Sequence, residues 1–171
     1  RERPGRISII NPNERGSFVG IYGERLNTLM NQMSKRKIKN LNDWFQILEI
    51  PYTIDKKYDS RFNILQVLLI DEQQNKISLS DVGYGIGQVL PIILICVLSR
   101  KSIITIEQPE LHLHPKLQAN LADLFIKSAL ENQNLFILET HSEHIVLRFK
   151  RRQRESINID EEIQITPADK L

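Results

Sequence analysis

Two hydrophobic patterns divide the chain. Between residues 52 and 80, apolar and polar positions alternate, which predicts antiparallel strands over residues 52–56, 62–70 and 77–79. After residue 80, short apolar runs alternate with segments of helical periodicity, an order typical of a parallel α/β sheet. We therefore predict one α/β domain, in which an antiparallel and helical lobe (residues 1–78) precedes a partly parallel core (residues 79–171).

Helical spacing and terminal signals define the remaining elements. Helices are predicted over residues 24–37, 40–48, 83–100, 115–132 and 145–149. Further strands are predicted over residues 6–10, 103–106, 135–138 and 163–166. Asn40 is the expected N-cap of the second helix, and Thr140 with Glu143 is the expected capping box of the last. Pro91 is compatible with its helix only in the first turn.

The stretch from residue 103 to residue 114 is the most informative part of the chain. The β-branched run at residues 103–106 stops abruptly at polar residues and a proline, which is typical of a buried parallel strand that ends at a sheet edge. Glu107 would then lie at the C-terminal end of the strand. Ligands of open α/β sheets bind at this edge, so the pattern predicts a functional site there.

Composition narrows the class of protein. The chain has 171 residues, of which 41% are hydrophobic, which is enough for a packed core. Its net charge of +2 does not by itself indicate binding to nucleic acid or to a membrane. Cys96 is the one cysteine, which excludes an internal disulfide and favours a cytoplasmic protein with this side chain in the core. The apolar run at residues 89–98 is shorter than the roughly 20 residues of a membrane helix. Because the chain begins at Arg1 rather than methionine, we expect a fragment.

The sequence Glu-Gln-Pro-Glu-Leu-His-Leu-His-Pro that begins at Glu107 resembles the Walker B region of ABC-type, AAA-family ATPases, in the branch of SMC, RecF and OLD-like prokaryotic proteins. The resemblance implies that Glu107 holds Mg²⁺ through water and that the next position orients the water that attacks ATP. That next position is Gln108, whose amide cannot take a proton. Either Glu110 supplies the carboxylate, or Gln108 only positions water, or hydrolysis is slow.

A histidine follows the next predicted strand. Residues 135–144 read Leu-Phe-Ile-Leu-Glu-Thr-His-Ser-Glu-His, which resembles the strand and switch histidine that follow Walker B in the same ATPases. The resemblance maps the switch to His141. A histidine just past a strand end can donate a hydrogen bond to a γ-phosphate and so sense its presence.

A glycine-rich segment precedes both motifs. Residues 79–88, Leu-Ser-Asp-Val-Gly-Tyr-Gly-Ile-Gly-Gln, resemble the signature motif of these ATPases, in which a serine and glycine amides at a helix N-terminus hold the γ-phosphate bound to the opposite subunit. Two alignments with the motif are possible. Either Ser80 is the serine of the motif, or the segment from Gly85 through Gly87 to Gln88 occupies the motif instead. Gly83 belongs to the same turn. The resemblance implies a homodimer with ATP between its subunits.

The sequence contains no Gly-x-x-x-x-Gly-Lys-Ser/Thr loop for the β- and γ-phosphates. In the resembled family this loop lies well before the signature, so we expect a separate N-terminal half to carry it. Its strand would lie between those at residues 135–138 and 163–166, which leaves a P-loop NTPase-like sheet incomplete. We therefore expect this chain alone to bind ATP poorly and to be inactive.

Other classes of protein remain open on sequence alone. A non-hydrolysing interaction module would keep the fold and use Gln108 as an inactive position. A metal-dependent hydrolase would draw on the closely spaced pairs His112, His114 and His141, His144, with Glu110 or Glu143. The basic run at residues 148–154 is typical of a solvated helix face, and contacts with DNA, RNA or a nuclease partner are the alternative.

Overall fold

The computed structural model describes residues 8–9, 19–20 and 25–157, and it divides the chain into two compact units with a boundary between Ser99 and Arg100. The first unit contains β1 (Ser8–Ile9), α1 (Leu26–Gln32), α2 (Lys35–Ile47), β2 (Thr53–Asp59), β3 (Ile64–Ile70), β4 (Lys76–Ser78) and α3 (Tyr84–Leu98). The second contains β5 (Ile103–Glu107), α4 (Pro115–Asn132), β6 (Leu135–Glu139) and α5 (Glu143–Ile157).

In the first unit, β3 is the central strand of an antiparallel sheet. β2 pairs with β3 in continuous register over seven residues, and β1 and β4 pair with shorter parts of β3. Leu65, Val67 and Leu69 are buried on alternate positions of β3, and α1 packs against this strand. The antiparallel arrangement predicted for residues 52–80 is confirmed.

Two helices form where two were predicted over residues 24–37 and 40–48, but the break between them lies at residues 33–34, and the prediction of Asn40 as an N-cap is wrong. Met33 leaves the helical conformation with a ψ of 129°. The Ser34 hydroxyl then accepts a hydrogen bond from the backbone N–H of Lys37 (3.4 Å), so Ser34 caps α2. The apolar spacing continues across the break, which is why the pattern alone did not reveal it.

The C-terminal end of α1 is held from a distant strand. The Lys56 ammonium of β2 donates hydrogen bonds to the backbone carbonyls of Met30, Asn31 and Met33. Burial lowers the pKa of this ammonium. Carbonyls at the C-terminal end of the helix thus receive a cationic donor.

Pro91 lies in the interior of α3 and not in its first turn. The prediction that this helix is compatible with Pro91 only in the first turn is therefore wrong. An interior proline removes a backbone donor and costs about 3 kcal/mol in an isolated helix. Leu90, Ile93 and Leu94 are completely buried, and their packing offsets this cost. Cys96 of the same helix is buried, as predicted.

The second unit is a parallel strand-helix-strand arrangement followed by a helix. β5 and β6 pair in register from Ile103 opposite Leu135 to Glu107 opposite Glu139. α4 connects the two strands, begins at Pro115 as predicted, and packs against α5. The aromatic rings of Phe125 and Phe136 join α4 to β6, with centroids 5.2 Å apart.

One face of this two-stranded sheet is exposed. Ile104 and Ile106 are buried beneath the other face, whereas Ile103, Leu135 and Ile137 are 71%, 60% and 56% exposed. Parallel sheets are usually covered on both faces. The prediction of a buried strand therefore holds for one face of β5 only.

The predicted class, α/β with an antiparallel sheet before a parallel one, is confirmed. The strand predicted over residues 163–166 lies outside the described residues, as does the strand over residues 6–10 apart from β1. Within the described part of the chain, no helix is both long and apolar enough to cross a bilayer.

Candidate functional site

Two carboxylates lie side by side at the carboxyl edge of the parallel strands. Glu107 ends β5, Glu139 ends β6, and the two residues are paired in the register. Adjacent strands are about 4.8 Å apart and paired residues point to the same face, so both exposed side chains lie on that face of the edge. Sequence reasoning did not select Glu139. The signal was present, because Glu139 ends its strand as Glu107 ends the other.

Gln108 follows Glu107 in an uncommon backbone conformation. Its φ is 45°, in the left-handed region that residues other than glycine rarely adopt. The Gln108 backbone N–H donates a hydrogen bond to the carbonyl of Glu139 (2.7 Å), which extends the strand pairing by one contact. The backbone therefore turns sharply at Gln108, directly after Glu107.

Glu110 joins the loop after β5 to the loop after β6. Its Oε2 accepts a hydrogen bond from the Thr140 hydroxyl (2.8 Å), and its Oε1 accepts one from the backbone N–H of His141 (2.7 Å). Both carboxylate oxygens are thus engaged by neutral donors, which is a strong arrangement for a carboxylate. The site residues predicted as Glu107, Gln108, Glu110 and His141 are brought together at one edge.

Ser142, rather than Thr140, caps α5. The Ser142 hydroxyl accepts a hydrogen bond from the N–H of Ile145 (3.2 Å) and donates one to Oε1 of Gln118 (2.6 Å). Thr140 accepts instead from the N–H of Ser142 (3.0 Å), so the predicted capping box is wrong. His141 lies between these two residues with an exposed side chain, at the start of the helix.

The remaining histidines do not form a metal centre in the part of the chain that the structure describes, where no group of three or more His, Cys, Asp or Glu side chains could hold an ion. His114 has a structural role. Its Nδ1 accepts a hydrogen bond from the N–H of Lys116 (3.3 Å) and caps α4. His112 has a φ of 60° in the turn before that helix, and His144 is exposed on α5.

The glycine-rich segment lies in the first unit, as the connection from β4 to α3. Ser80 follows β4, and its hydroxyl shares a hydrogen bond with that of Ser78 (3.1 Å). Gly83 is the N-cap of α3, so the prediction that the glycines open a helix is confirmed, and the helix then includes Gly85, Gly87 and Gln88. A Cβ at Gly83 or Gly87 would meet no atom within 4 Å. The packing of the described residues therefore does not require glycine at either position.

Acidic side chains neutralise much of the basic run on α5. The Arg148 and Arg152 guanidinium groups both bind the carboxylate of Asp123 on α4, at 2.6 and 2.8 Å. Burial acts to raise the pKa of Asp123, but hydrogen bonds from the two arginines outweigh it and hold the pKa below its ordinary value. Glu155 binds Arg151 and Arg152. This pairing favours a role of the run in joining α4 and α5.

Open α/β sheets bind ligands at the carboxyl edge of their parallel strands, where this unit places its carboxylate and amide side chains. The chain belongs to the AAA ATPase domain family, whose match covers residues 21–146. No protein of curated function matches the sequence.

Two solved structures share the fold. One is an SMC head bound to the C-winged helix domain of ScpA, with a TM-score of 0.57 and 15% identity over 75% of this chain and 41% of that chain. The other is from work on ATP-driven dimerization and DNA-stimulated activation of SMC ATPases, with a TM-score of 0.54 and 15% identity over 79% of each chain. This chain thus spans less than half the length of the first. The predicted likeness to SMC ATPase heads is confirmed at the level of the fold.

Proposed function

We propose that this chain is part of an ABC-class ATPase that binds and hydrolyses ATP between two subunits. The observation that carries the proposal is the shared edge of β5 and β6, where Glu107, Gln108 and Glu139 lie beside the loop of His141. Membership of the AAA ATPase domain family supports ATP hydrolysis as the activity, and the positions of the residues at this edge support the role proposed for each of them.

The oxygen donors at the edge fit Mg²⁺, which prefers carboxylate and water ligands. Glu107 would hold the ion through water, and Glu139 is a second carboxylate on the same face. When bound, the ion would neutralise charge on the phosphates and favour attack by water. Gln108 would orient that water through its amide, and His141 would donate a hydrogen bond to the γ-phosphate.

The segment at the start of α3 would act on nucleotide bound to the partner subunit. Gly83 and Gly87 leave open space where a Cβ would stand, and α3 begins within this segment, so backbone N–H groups at its start suit an anion. Ser80, Gly85 and Gln88 complete the proposed signature. The phosphate loop would come from an N-terminal half of the ATPase in the cytoplasm, and an effector nuclease or nucleic acid is a further candidate partner.

The test is the Mg²⁺-dependent hydrolysis of ATP by the intact protein and by its Glu107→Gln variant. We expect the substitution to lower turnover by about 100-fold, because it removes a charge at the proposed ion site. Glu131→Gln is the matched control: Glu131 is an exposed carboxylate of the same unit that pairs with Lys127 at the surface, and its loss should leave turnover unchanged. Equal turnover in wild type and Glu107→Gln would contradict the assignment.

A non-hydrolysing module is the second candidate, and Gln108 favours it, since an amide cannot accept a proton from water. That module would bind ATP and dimerise but release no phosphate. ATP binding by the intact protein without hydrolysis in the same assay would support it.

A further inference from the structure

Glu110 accepts hydrogen bonds from the loop after β6 through both oxygens of its carboxylate. Thr140 and His141 follow Glu110 by 30 and 31 residues, yet their hydroxyl and backbone donors lie 2.8 and 2.7 Å from the two oxygens of its carboxylate. Because both oxygens accept hydrogen bonds from protein groups, the carboxylate binds the loop after β6 to the loop after β5. Glu107, by comparison, is the last residue of β5 and its side chain is exposed.

The bonds of Glu110 belong to a longer chain of hydrogen bonds. From Thr140 the chain continues through the N–H of Ser142, and the Ser142 hydroxyl donates to Gln118 of α4. The amide of Gln118 then donates to the carbonyl of Leu113 (2.9 Å), in the same loop that carries Glu110. The contacts close a ring that includes both loops and the first turns of α4 and α5. Ser142 is 6% exposed, so the ring is shielded from competing water on one side.

We infer that Glu110 is a positioning residue, which sets the place of His141 relative to the edge of β5, and that it is not the carboxylate that activates water. The kinetic consequence rests on the function proposed above, whereas the structural role does not. His141 is placed by a bond to its own backbone, so loss of the Glu110 carboxylate would free the loop while leaving Glu107 and Gln108 in register.

Amide hydrogen exchange of the 171-residue chain, followed by NMR, tests the structural role directly. We expect the His141 amide to exchange about 10-fold faster or more in Glu110→Gln, because the carboxamide has no charge and only one acceptor oxygen for the two donors from Thr140 and His141. The Leu135 amide is the internal control, since it bonds to the carbonyl of Ser102 at the opposite end of the strands and should be unchanged. Equal exchange of the His141 amide in wild type and variant would overturn the inference.

Thr140 provides an independent pair of variants should Glu110→Gln fail to fold. Thr140→Val keeps the shape and removes the donor to Glu110, so His141 exchange should rise. Thr140→Ser keeps the donor and should restore slow exchange. If Thr140→Ser behaves as Thr140→Val does, the hydroxyl is not the relevant contact and the inference is wrong.

Kinetics of the intact protein separate positioning from water activation. Loss of positioning should lower kcat by about 10-fold while the KM for ATP changes by less than about 3-fold, with turnover largely restored in Thr140→Ser. A Glu110→Gln variant as inactive as Glu107→Gln, with unchanged His141 exchange, would identify Glu110 as the water-activating group. If wild type hydrolyses no ATP, the proposed function fails, and the exchange measurements still decide the role of Glu110.

Discussion

Gln108 combines an amide side chain with a left-handed backbone at the end of β5. A φ of 45° is unfavourable for a residue other than glycine, by about 1 kcal/mol, and such conformations persist where the surrounding structure enforces them. The bond from its N–H to the carbonyl of Glu139 supplies that enforcement. The backbone bond keeps Gln108 at the edge where Glu107 and Glu139 end their strands, and the proposed role in holding water rests on this position.

Replacement of Gln108 by glutamate should increase ATP turnover in the intact protein by at least about 10-fold. The carboxylate has the same length and geometry as the amide but can accept a proton from the attacking water. Steady-state phosphate release by wild type and Gln108→Glu measures the effect, with Gln133→Glu, at an exposed position after the C-terminal end of α4, as a control for an added carboxylate elsewhere in the unit. Unchanged turnover in Gln108→Glu would show that this position does not limit hydrolysis.

At the scale of the elements, α4 and α5 are joined by charge as well as by apolar packing. Asp123 is 21% exposed and receives hydrogen bonds from two guanidinium groups, whereas the exposed pair of Lys127 and Glu131 lies 3.7 Å apart at the surface. Partly buried, bidentate pairs contribute more to stability than exposed ones, which contribute about 0–1 kcal/mol. The helix pair should therefore depend on Asp123 far more than on Glu131.

We expect Asp123→Asn to lower the free energy of unfolding by about 1–3 kcal/mol at pH 7, since Arg148 loses its counter-charge and Arg152 keeps only the more exposed Glu155 among the pairs described here. The folded state holds the pKa of Asp123 below its ordinary value, so this stabilisation is present above the ordinary pKa of aspartate, about 3.9, and is lost as the pH falls through the lowered pKa. Urea denaturation at pH 7 and below pH 4 measures both effects. Glu131→Gln should change stability by less than about 0.5 kcal/mol, and a loss in that variant equal to that in Asp123→Asn would contradict the argument.

At the scale of the whole molecule, the chain contains the edge of an ATPase sheet without the loop that holds phosphates. The sequence has no Gly-x-x-x-x-Gly-Lys-Ser/Thr segment. One apolar face of β5 and β6 is exposed, although parallel sheets are usually covered on both faces. In the proposed function, the residues at the carboxyl edge would hold only the ion and a water molecule. Most of the binding energy for the phosphates would come from backbone N–H groups and a lysine outside this sequence.

The 171-residue chain alone should therefore bind Mg²⁺-ATP weakly, with a Kd above about 1 mM. Isothermal titration calorimetry measures this directly, and the intact protein in the same buffer is the comparison. Binding in the micromolar range by the chain alone would show that it holds a phosphate site that the sequence motifs do not reveal.

The sequence by itself determined the order of the strands and helices and the placement of Glu107, Gln108 and His141 at strand ends. These features depend on residues close together in the sequence. Burial of one face of a helix or strand makes apolar residues recur at a short period, and a strand ends where that pattern stops. The break before Ser34 and the interior position of Pro91 were missed, since Lys56 in one case and surrounding apolar packing in the other act from distant parts of the chain.

Only the tertiary structure decided which polar groups meet. The pairing of Glu107 with Glu139 follows from the register of β5 and β6, and a shift by one residue would place the two side chains on opposite faces. The bonds of Glu110 to Thr140 and His141 likewise exist because α4 returns the chain to the same edge. Residue types and spacing identify chemically able groups, but hydrogen bonds between loops thirty residues apart depend on distances that only the folded chain sets.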